Sequence, residues 1–134
     1  MADDRLQLAV IVGSMRSGRI GPAVAGWLMT MLSEHERICT GARAEWRAKP
    51  VGFVSYGGIA GGLRAVEQLR LVFAELRAVT VRQVVSLHWV HDLLDGNAEL
   101  HDPGAPAAAR AMVAQLCWWA GALRKARAEG IYDV

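Results

Sequence analysis

Three stretches of the chain have the length and the apolar character of β-strands. Leu6 to Val12 is an almost unbroken apolar run, typical of a strand that is buried on both faces of a parallel sheet. Two further strands are predicted at Val51–Ser55 and Val79–Leu87. A glycine-rich loop follows each of the first two strands.

Between and after these strands, apolar residues recur every three or four positions. This period predicts helices over Pro22–Leu32, Leu63–Arg77 and Ala105–Ala128, of which the second has the broadest apolar face. No period is visible from Ser33 to Lys49, so we expect a frayed helix end, a loop and one short helical turn there. The order of elements predicts one domain over residues 1–134, an α/β three-layer sandwich with a small parallel sheet.

The composition is that of a folded globular protein. Of the 134 residues, 53% are hydrophobic and 21% are charged, and the net charge of +2 is too small to indicate a nucleic-acid groove. There is no apolar run of membrane-spanning length and no secretory signal, so we expect a cytoplasmic protein without a membrane partner. The excess of arginine over lysine indicates a GC-rich bacterial genome. Cys39 and Cys117 lie in no motif, so neither a disulfide framework nor a zinc site is predicted.

The first glycine-rich loop, residues 13–20, has the features of an anion-binding site. It lies between a strand and a helix, where free backbone N–H groups and the helix dipole favour a negative charge. It also contains side-chain donors suited to phosphate, at Ser14, Arg16, Ser17 and Arg19. Because Arg19-Ile20 stands where a P-loop has Lys-Ser/Thr, we expect a phosphate that is bound rather than hydrolysed. The alternative is a glycine turn with solvated arginines.

The second loop, Tyr56 to Gly62, contains four glycines in seven residues. Glycines allow the backbone to approach a flat ligand closely, and Tyr56 is able to stack on such a ligand or to hydrogen-bond with it. The spacing is not that of a dinucleotide fingerprint. A tight turn without any ligand is an equally open interpretation.

Both loops and their flanking elements resemble one known family. GSMRSGRIGPAVAGWL resembles the phosphate loop of the NADPH-dependent FMN reductases, a flavodoxin-like family, and KPVGFVSYGGIAGGLRAVEQLRLVFAELRAVTVRQVVSL resembles their fourth strand, glycine loop, next helix and fifth strand. The resemblance implies a reduced flavodoxin-like fold, FMN as the cofactor and NAD(P)H as the co-substrate. Together with the loop chemistry, it makes the expected cofactor-binding residues Gly13, Ser14, Arg16, Ser17, Arg19, Tyr56, Gly57 and Gly58.

The chain also departs from this family. Its members have two further strands before the Lys-Pro-Val strand, and a Pro-Glu-Tyr-Asn-type loop that cradles the flavin ring. Ser33 to Trp46 replaces this region, and no Pro-Glu-Tyr-Asn sequence occurs in the chain. The phosphate end of a flavin site is therefore expected, whereas half of the usual ring pocket is not.

Polar side chains follow the third predicted strand. His88 and His91 are candidate general bases, because imidazole titrates near neutral pH. The alternative is an ordinary solvated loop. Histidines and aspartates at 88–102 are suitable metal ligands, but the polar loop explains them, and no metal site is predicted.

Three functions stay open at this point. The first is an FMN-dependent NAD(P)H oxidoreductase that binds the flavin phosphate at residues 13–20. The second is a non-redox enzyme, such as a cyclase or isomerase of specialised metabolism, or a protein on the same scaffold that binds another anionic small molecule. The third is a structural or regulatory subunit that pairs with a full-length relative.

The shortening predicts two structural features. We expect Leu6–Val12 to pair directly with Val51–Ser55, which would bring the two glycine-rich loops into one cleft. We also expect a homo-oligomer, most simply a C2 dimer, because the sheet loses cover and the last helix is rich in large apolar residues. These residues are Met112, Leu116, Trp118, Trp119 and Leu123.

Overall fold

The computed structural model describes residues 6–13, 20–34, 38–40 and 46–130. The strands within these residues are β1 Leu6–Leu8, β2 Ile38–Thr40, β3 Pro50–Tyr56 and β4 Val79–Leu87. The helices are α1 Gly21–Ser33, α2 Leu63–Glu75, α3 Val90–Leu93 and α4 Ala105–Glu129. The chain divides into two compact units, one formed by Met1–Arg43 with His91–Asp102 and the other by Ala44–Val90 with Pro103–Val134. The single domain over residues 1–134 stays a prediction.

In the first unit, β1 and β2 form a parallel pair in which Leu6 is opposite Ile38 and Leu8 is opposite Thr40. β2 was not predicted, because three residues between charged segments are too short to give a visible period. Helix α1 agrees with its prediction: Pro22 lies in its first turn, and it buries a stripe at Val24, Leu28 and Leu32.

One sequence prediction about the first strand is wrong. β1 ends at Leu8 rather than Val12, and Ile11 is 69% exposed. The direct pairing with the Val51–Ser55 strand stays a prediction, because the two strands belong to different units. Among the described strands, β1 pairs with β2, and β3 pairs with β4.

In the second unit, β3 and β4 form a parallel pair that is covered on both faces. Phe53 of β3 contacts the ring of Phe73 on α2, with 5.7 Å between ring centroids. The preceding residue, Gly52, faces α4, where an added Cβ would lie 2.9 Å from Met112 Sδ. Since neighbouring strand residues face opposite sides, α2 and α4 lie on opposite faces of this sheet. The prediction of an α/β fold with a small parallel sheet is therefore confirmed.

The core of this unit lies mainly between β4 and α4. Val81, Val85 and Leu87 of β4 are almost completely inaccessible to solvent, and so is Ala109 of α4. None of the described helices combines the length and the apolar character that a membrane span requires.

An irregularity in β4 is held from both faces of the sheet. Val51 is opposite Thr80 and Phe53 is opposite Val84, so β4 contains two extra residues at this point. On the α2 side, the Arg70 guanidinium donates to the carbonyl oxygens of Val81 (2.8 Å) and Arg82 (3.2 Å) and to Thr80 Oγ1 (3.0 Å). On the α4 side, the Gln115 side-chain oxygen accepts from the backbone N–H of Gln83 at 3.0 Å. These two side chains bond the backbone groups that the irregular pairing leaves free.

Helix α2 buries less of its apolar surface than its sequence predicts. Only Val66 is fully buried, and Phe73 is half-buried in the aromatic cluster. Leu69, Val72 and Leu76 are 41%, 52% and 42% exposed. Together with Ala65 they follow a 4-3-4 spacing, which places them along one seam of the helix. We call these four residues the α2 seam.

Candidate functional site

The loops at the carboxyl ends of β3 and β4 are joined by backbone hydrogen bonds. The N–H of Gly57 donates to the carbonyl oxygen of Leu87, and the N–H of Trp89 donates to that of Gly58, both at 3.1 Å. The N–H of Val90 donates to the carbonyl oxygen of Gly57, also at 3.1 Å. The carboxyl end of a parallel sheet is where open α/β folds bind ligands, so these joined loops are the candidate site.

Ser86 and His88 attach side chains of β4 and its loop to the glycine loop. His88 Nδ1 lies 2.7 Å from the carbonyl oxygen of Ile59, and a carbonyl oxygen can only accept, so Nδ1 carries a proton. Ser86 Oγ lies 3.2 Å from His88 Nε2 and 3.0 Å from the carbonyl oxygen of Gly61. Because the serine has one hydrogen, it is able to donate to either of these two atoms but not to both at once. The imidazole is thereby held in one orientation beside the loop.

The fold itself requires three of the four loop glycines. Gly61 and Gly62 have φ values of +53° and +78°, the left-handed region that favours glycine. A Cβ at Gly61 would overlap Ser86 Oγ, and one at Gly62 would lie 2.8 Å from the carbonyl oxygen of Tyr56. A Cβ at Gly57 would lie 3.1 Å from the backbone nitrogen of Gly62. The tight-turn interpretation therefore explains these three positions.

Gly58 is different from its neighbours. It is exposed, its φ lies outside the left-handed region, and an added Cβ would meet nothing closer than Trp89 Cζ3 at 3.9 Å. The turn therefore does not require a glycine here. A Cβ here would be in ordinary van der Waals contact with the Trp89 indole, so a side chain could be accommodated at this position.

Trp89 combines an unfavourable backbone with an exposed side chain. Its φ of +50° is rare for a bulky residue, and its side chain is 57% exposed. Ile59, on the facing loop, is 77% exposed. Sequence analysis did not identify either residue. The available sign for Trp89 was a tryptophan placed directly after the end of an apolar strand, next to a candidate histidine.

The structure brings together some of the predicted site residues. Tyr56, Gly57, Gly58 and His88 all lie at the carboxyl ends of β3 and β4 in the second unit. Tyr56 falls on the same face of β3 as Gly52, the face that packs against α4.

Two of the other predicted residues, Gly13 and His91, belong to the first unit. Gly13 is exposed in the first unit, where an added Cβ would meet nothing within 4 Å. His91 is an exposed residue of α3. The predicted phosphate ligands Ser14, Arg16, Ser17 and Arg19 lie outside the described residues.

A second polar cluster in the described residues lies in the first unit. Asp95 Oδ1 accepts from the backbone N–H groups of Asn97 (2.8 Å) and Glu99 (2.9 Å), and Oδ2 lies 2.9 Å from His101 Nε2. The hydrogen bond from His101, followed by that from the Glu99 N–H, holds the pKa of Asp95 below its ordinary value. Although Asp95, Glu99 and His101 could together face a metal ion, they are exposed and the turn accounts for their arrangement. We assign no metal to them.

A shallow cleft of the second unit lies at the other end of its sheet. Val79, the first residue of β4, lines it together with residues of the α4 carboxyl end. Arg127 also lines it and donates to the carbonyl oxygen of Ala48, so this side chain has a structural partner. This cleft contains none of the predicted site residues, and we assign it no ligand.

Comparison with known proteins identifies the segment that contains the site. The sequence model of the NADPH-dependent FMN reductase family matches residues 35–92. No curated protein and no solved structure shows a significant match to the chain. The matched segment includes β2, β3, the glycine loop, α2, β4 and Trp89, whereas residues 13–20 precede it. Residues 35–92 are therefore related in sequence to the NADPH-dependent FMN reductases, as the resemblance of the second glycine-rich loop and its flanking elements implied.

Proposed function

We propose that this chain is an FMN-dependent NAD(P)H oxidoreductase of the flavin reductase type. The observation that carries the proposal is Gly58, an open glycine at the carboxyl ends of two parallel strands. It lies within the segment that matches a family of NADPH-dependent FMN reductases.

The residues present at this end of the sheet suit a flat ring. Gly58 is exposed and without a side chain, so a planar group is able to approach its backbone closely. The carbonyl oxygens of Gly57 and Gly58 already accept from Val90 and Trp89, which fixes the loop. When bound, the isoalloxazine would supply the hydride acceptor, and the protein would supply binding and orientation.

The phosphate end of the flavin is proposed on sequence grounds. Ser14, Arg16, Ser17 and Arg19 offer hydroxyl and guanidinium donors in a loop that precedes α1. Helix α1 begins at Gly21, directly after this loop, so the positive end of its dipole would favour a phosphate there.

The experiment is a titration of the purified protein with FMN, followed by an assay of NADPH and NADH oxidation. We expect saturable flavin binding, seen as a change in the visible flavin absorption band, and nicotinamide oxidation that depends on added flavin. A protein that binds FMN but oxidises neither nicotinamide would contradict the redox proposal. A colourless protein that shows no binding of added FMN would also contradict the proposal that FMN is the cofactor.

The second candidate is a non-redox enzyme or binding protein on the same scaffold, and one observation favours it. His88 Nδ1 is held by the Ile59 carbonyl oxygen, and Nε2 lies 3.2 Å from Ser86 Oγ. A base oriented at one nitrogen and placed within reach of a hydroxyl at the other is an arrangement used in acid–base chemistry. This candidate predicts a colourless protein whose activity falls on changing His88→Asn.

We also propose that the chain forms a homodimer. The α2 seam, formed by Ala65, Leu69, Val72 and Leu76, leaves three large side chains 41–52% exposed, with the spacing that a facing helix would fill. A second copy presents the same seam, so a two-fold axis beside α2 would cover both. This surface differs from the one expected from sequence, because Met112 and Leu116 of α4 are buried against Gly52.

A further inference from the structure

We infer that two copies of the chain pair through the outer edge of β3, the edge that faces away from β4. The two sheets would then form one four-stranded sheet across the dimer axis, in which β3 of one copy lies antiparallel to β3 of the other. The inference rests on the homodimer proposed above and deepens it, because it adds a backbone contact to the α2 seam and fixes the orientation of the two copies.

The outer edge of β3 has no partner strand among the described residues, where β3 pairs with β4 alone. On the inner edge, the carbonyl oxygen of Lys49 accepts from the N–H of Val79, and the N–H of Gly57 donates to the carbonyl oxygen of Leu87. Backbone groups of successive strand residues point to opposite edges, so the odd-numbered residues of β3 face β4. The even-numbered residues from 52 to 56 therefore direct their backbone groups outward.

Strand β3 has few of the features that protect an edge strand. It is seven residues long and contains no charged residue, and its single proline, Pro50, is its first residue. Natural edge strands are usually short, charged or interrupted, because unpaired backbone groups are a template for pairing with another chain. A long apolar edge of this kind is suited to a second strand.

The α2 seam lies on the same side of the second unit as this edge. Arg70 of α2 bonds carbonyl oxygens of β4, whereas Phe73 contacts Phe53 of β3. Because successive helix residues are turned by about 100°, Phe73 is turned about 60° from Arg70, and the seam is turned about 70° further in the same sense. Helix α2 therefore presents its seam beyond β3, so a strand added at the outer edge would bring a second α2 to it.

One two-fold axis perpendicular to the sheet would serve both contacts. The centre of β3 is Phe53, and the centre of the seam lies between residues 70 and 71. The Phe53 ring centroid lies 5.7 Å from that of Phe73 and 5.4 Å from Arg70 Cζ, so the two centres are at a similar level. An axis beside Phe53 would place this residue opposite itself, pair β3 over its whole length and make the two α2 helices antiparallel neighbours.

This register uses the outward backbone groups of β3. Gly52 would exchange two hydrogen bonds with Val54 of the partner subunit, since both residues face outward. The N–H of Tyr56 would donate to the carbonyl oxygen of Pro50 of the partner subunit. Pro50, which has no N–H, would thus lie at the end of the ladder, where strands tolerate proline.

The expected distance between the two α2 helices is that of packed helices. Helix α2 contacts both β3 and β4, so its axis lies over this pair of strands. Since neighbouring strands are about 4.8 Å apart, the two helix axes would be two strand spacings apart, about 10 Å. Packed helices have axes about 8–10 Å apart. Leu69, Val72 and Leu76, which are 41–52% exposed, would fill the space between the helices.

The charges beside the seam favour the same orientation. Arg64 near the start of α2 and Glu75 at its end are both exposed, and the helical period places them on the same flank of the seam. Antiparallel helices bring Arg64 of one copy to the level of Glu75 of the partner subunit. Parallel helices would instead bring like charges to the same level, which is unfavourable.

A disulfide between the two strands tests this register. With Phe53 opposite itself, Val51 lies opposite Ser55 of the partner subunit, at a Cα distance of about 4.5 Å that a disulfide is able to bridge. Within one chain, residues 51 and 55 are about 13 Å apart, which is too far. The variant therefore carries Val51→Cys and Ser55→Cys, and Cys39→Ser and Cys117→Ser remove the native thiols. Oxidised glutathione is the oxidant, and the product is observed on a non-reducing gel.

We expect the double-cysteine variant to form covalent dimers. The matched controls are the two single-cysteine variants, which should not cross-link, because each new cysteine lies about 13 Å from its own copy across the axis. Circular dichroism and the urea midpoint show that each variant is folded.

A second variant tests the backbone bonds without a cross-link. Val54→Pro removes an N–H that faces outward and leaves the inner edge of β3 bonded to β4, whereas the matched control Val54→Ala keeps the N–H. We expect Val54→Pro to raise the dimer dissociation constant about tenfold, as the loss of one hydrogen bond in each copy implies. Val54→Ala should dimerise as the wild type does.

The outcomes separate the strand pairing from the homodimer. Wild-type protein that is monomeric in light scattering would overturn both. A wild-type dimer whose folded double-cysteine variant does not cross-link would overturn the strand pairing and leave the α2 seam as the dimer contact. Pairing of β3 with Leu6–Val12 of the same chain, as the sequence predicts, would give this second result. Titration with FMN tests the reductase proposal independently of all these outcomes.

Discussion

Replacing Arg70 should destabilise the second unit far more than its position on the surface of a helix suggests. In Arg70→Met the aliphatic part of the side chain stays, but the three hydrogen bonds to β4 and the position of the guanidinium 5.4 Å from the Phe53 ring centroid are lost. The carbonyl oxygen of Val81 then loses a charged donor at a residue that is fully buried.

The magnitude follows from these contacts. A hydrogen bond to a charged group contributes about 1.5–3 kcal/mol, and the bond to Val81 is the shortest of the three and has its acceptor on a fully buried residue. The bond to Arg82 is exposed, so water replaces much of it, and the cation–π contact adds about 0.5–1 kcal/mol. We therefore expect a loss of about 3 kcal/mol in the free energy of unfolding. Arg70→Lys keeps the charge but not the forked geometry, and should lose about half as much.

The assay is urea unfolding, followed by circular dichroism and by tryptophan fluorescence. Since unfolding free energies fall by about 2 kcal/mol per molar urea, Arg70→Met should lower the midpoint by roughly 1.5 M. Arg64→Met is the matched control, because Arg64 is exposed on the same helix, and it should change the free energy by less than about 0.5 kcal/mol. Equal midpoints for the two methionine variants would refute the role of Arg70 in holding the irregular part of β4.

Four further predictions test other parts of the molecule. Gly61→Ala places a Cβ against side chains of β4 at a left-handed φ, and should cost about 1–3 kcal/mol in urea unfolding; a wild-type midpoint would show that the loop adapts. Arg16→Ala should weaken FMN binding by about 1.5–3 kcal/mol in a fluorescence titration, and an unchanged affinity would place the phosphate elsewhere. Val72→Lys puts a charge in the α2 seam and should convert a dimer to a monomer in light scattering; a wild-type monomer at micromolar concentration would exclude the dimer. The pKa of Asp95 is lowered first by the hydrogen bond from His101, so the turn is stabilised above the ordinary carboxyl pKa and loses this stabilisation as the pH falls through the lowered value. An NMR titration that found an ordinary pKa for Asp95 would contradict this.

The sequence predicted the second unit well because its elements have clear periods. Strands β3 and β4 and helices α2 and α4 lie within a few residues of their predicted bounds. The three-layer arrangement followed from their order, since a short parallel sheet with a crossover helix needs cover on both faces. The glycine loop was found for the same reason, because four glycines between a strand and a helix have few structural uses.

The rest depended on tertiary contacts that a one-dimensional pattern does not contain. The apolar run from Leu6 to Val12 predicted a long strand, but β1 ends at Leu8 and Ile11 is exposed, which the residue types alone do not indicate. On α2, the helical period shows which positions are apolar. It does not show which of the two neighbouring apolar stripes of the helix packs against the sheet. The period also does not show that the Arg70 guanidinium bonds the backbone of β4.

Within the candidate site, what the sequence could not supply was backbone conformation. The left-handed φ of Trp89 and the uncrowded Cβ position of Gly58 both depend on how two loops contact each other. Neither feature is visible in the pattern of residue types.

The two extra residues of β4 determine which insertions and deletions this strand would tolerate. Because side chains alternate along a strand, an excess of two residues leaves every later residue of β4 on its proper face: Leu87 in the core against α4, and Ser86 beside Gly61. Removing Arg82 and Gln83 together would straighten the strand and preserve this alternation. Removing either one alone would turn Leu87 toward the glycine loop and Ser86 into the core. We therefore expect the strand to tolerate the insertion or deletion of two residues but not of one. A change of one residue would alter the contacts of the glycine loop, although the loop lies several residues away from the change.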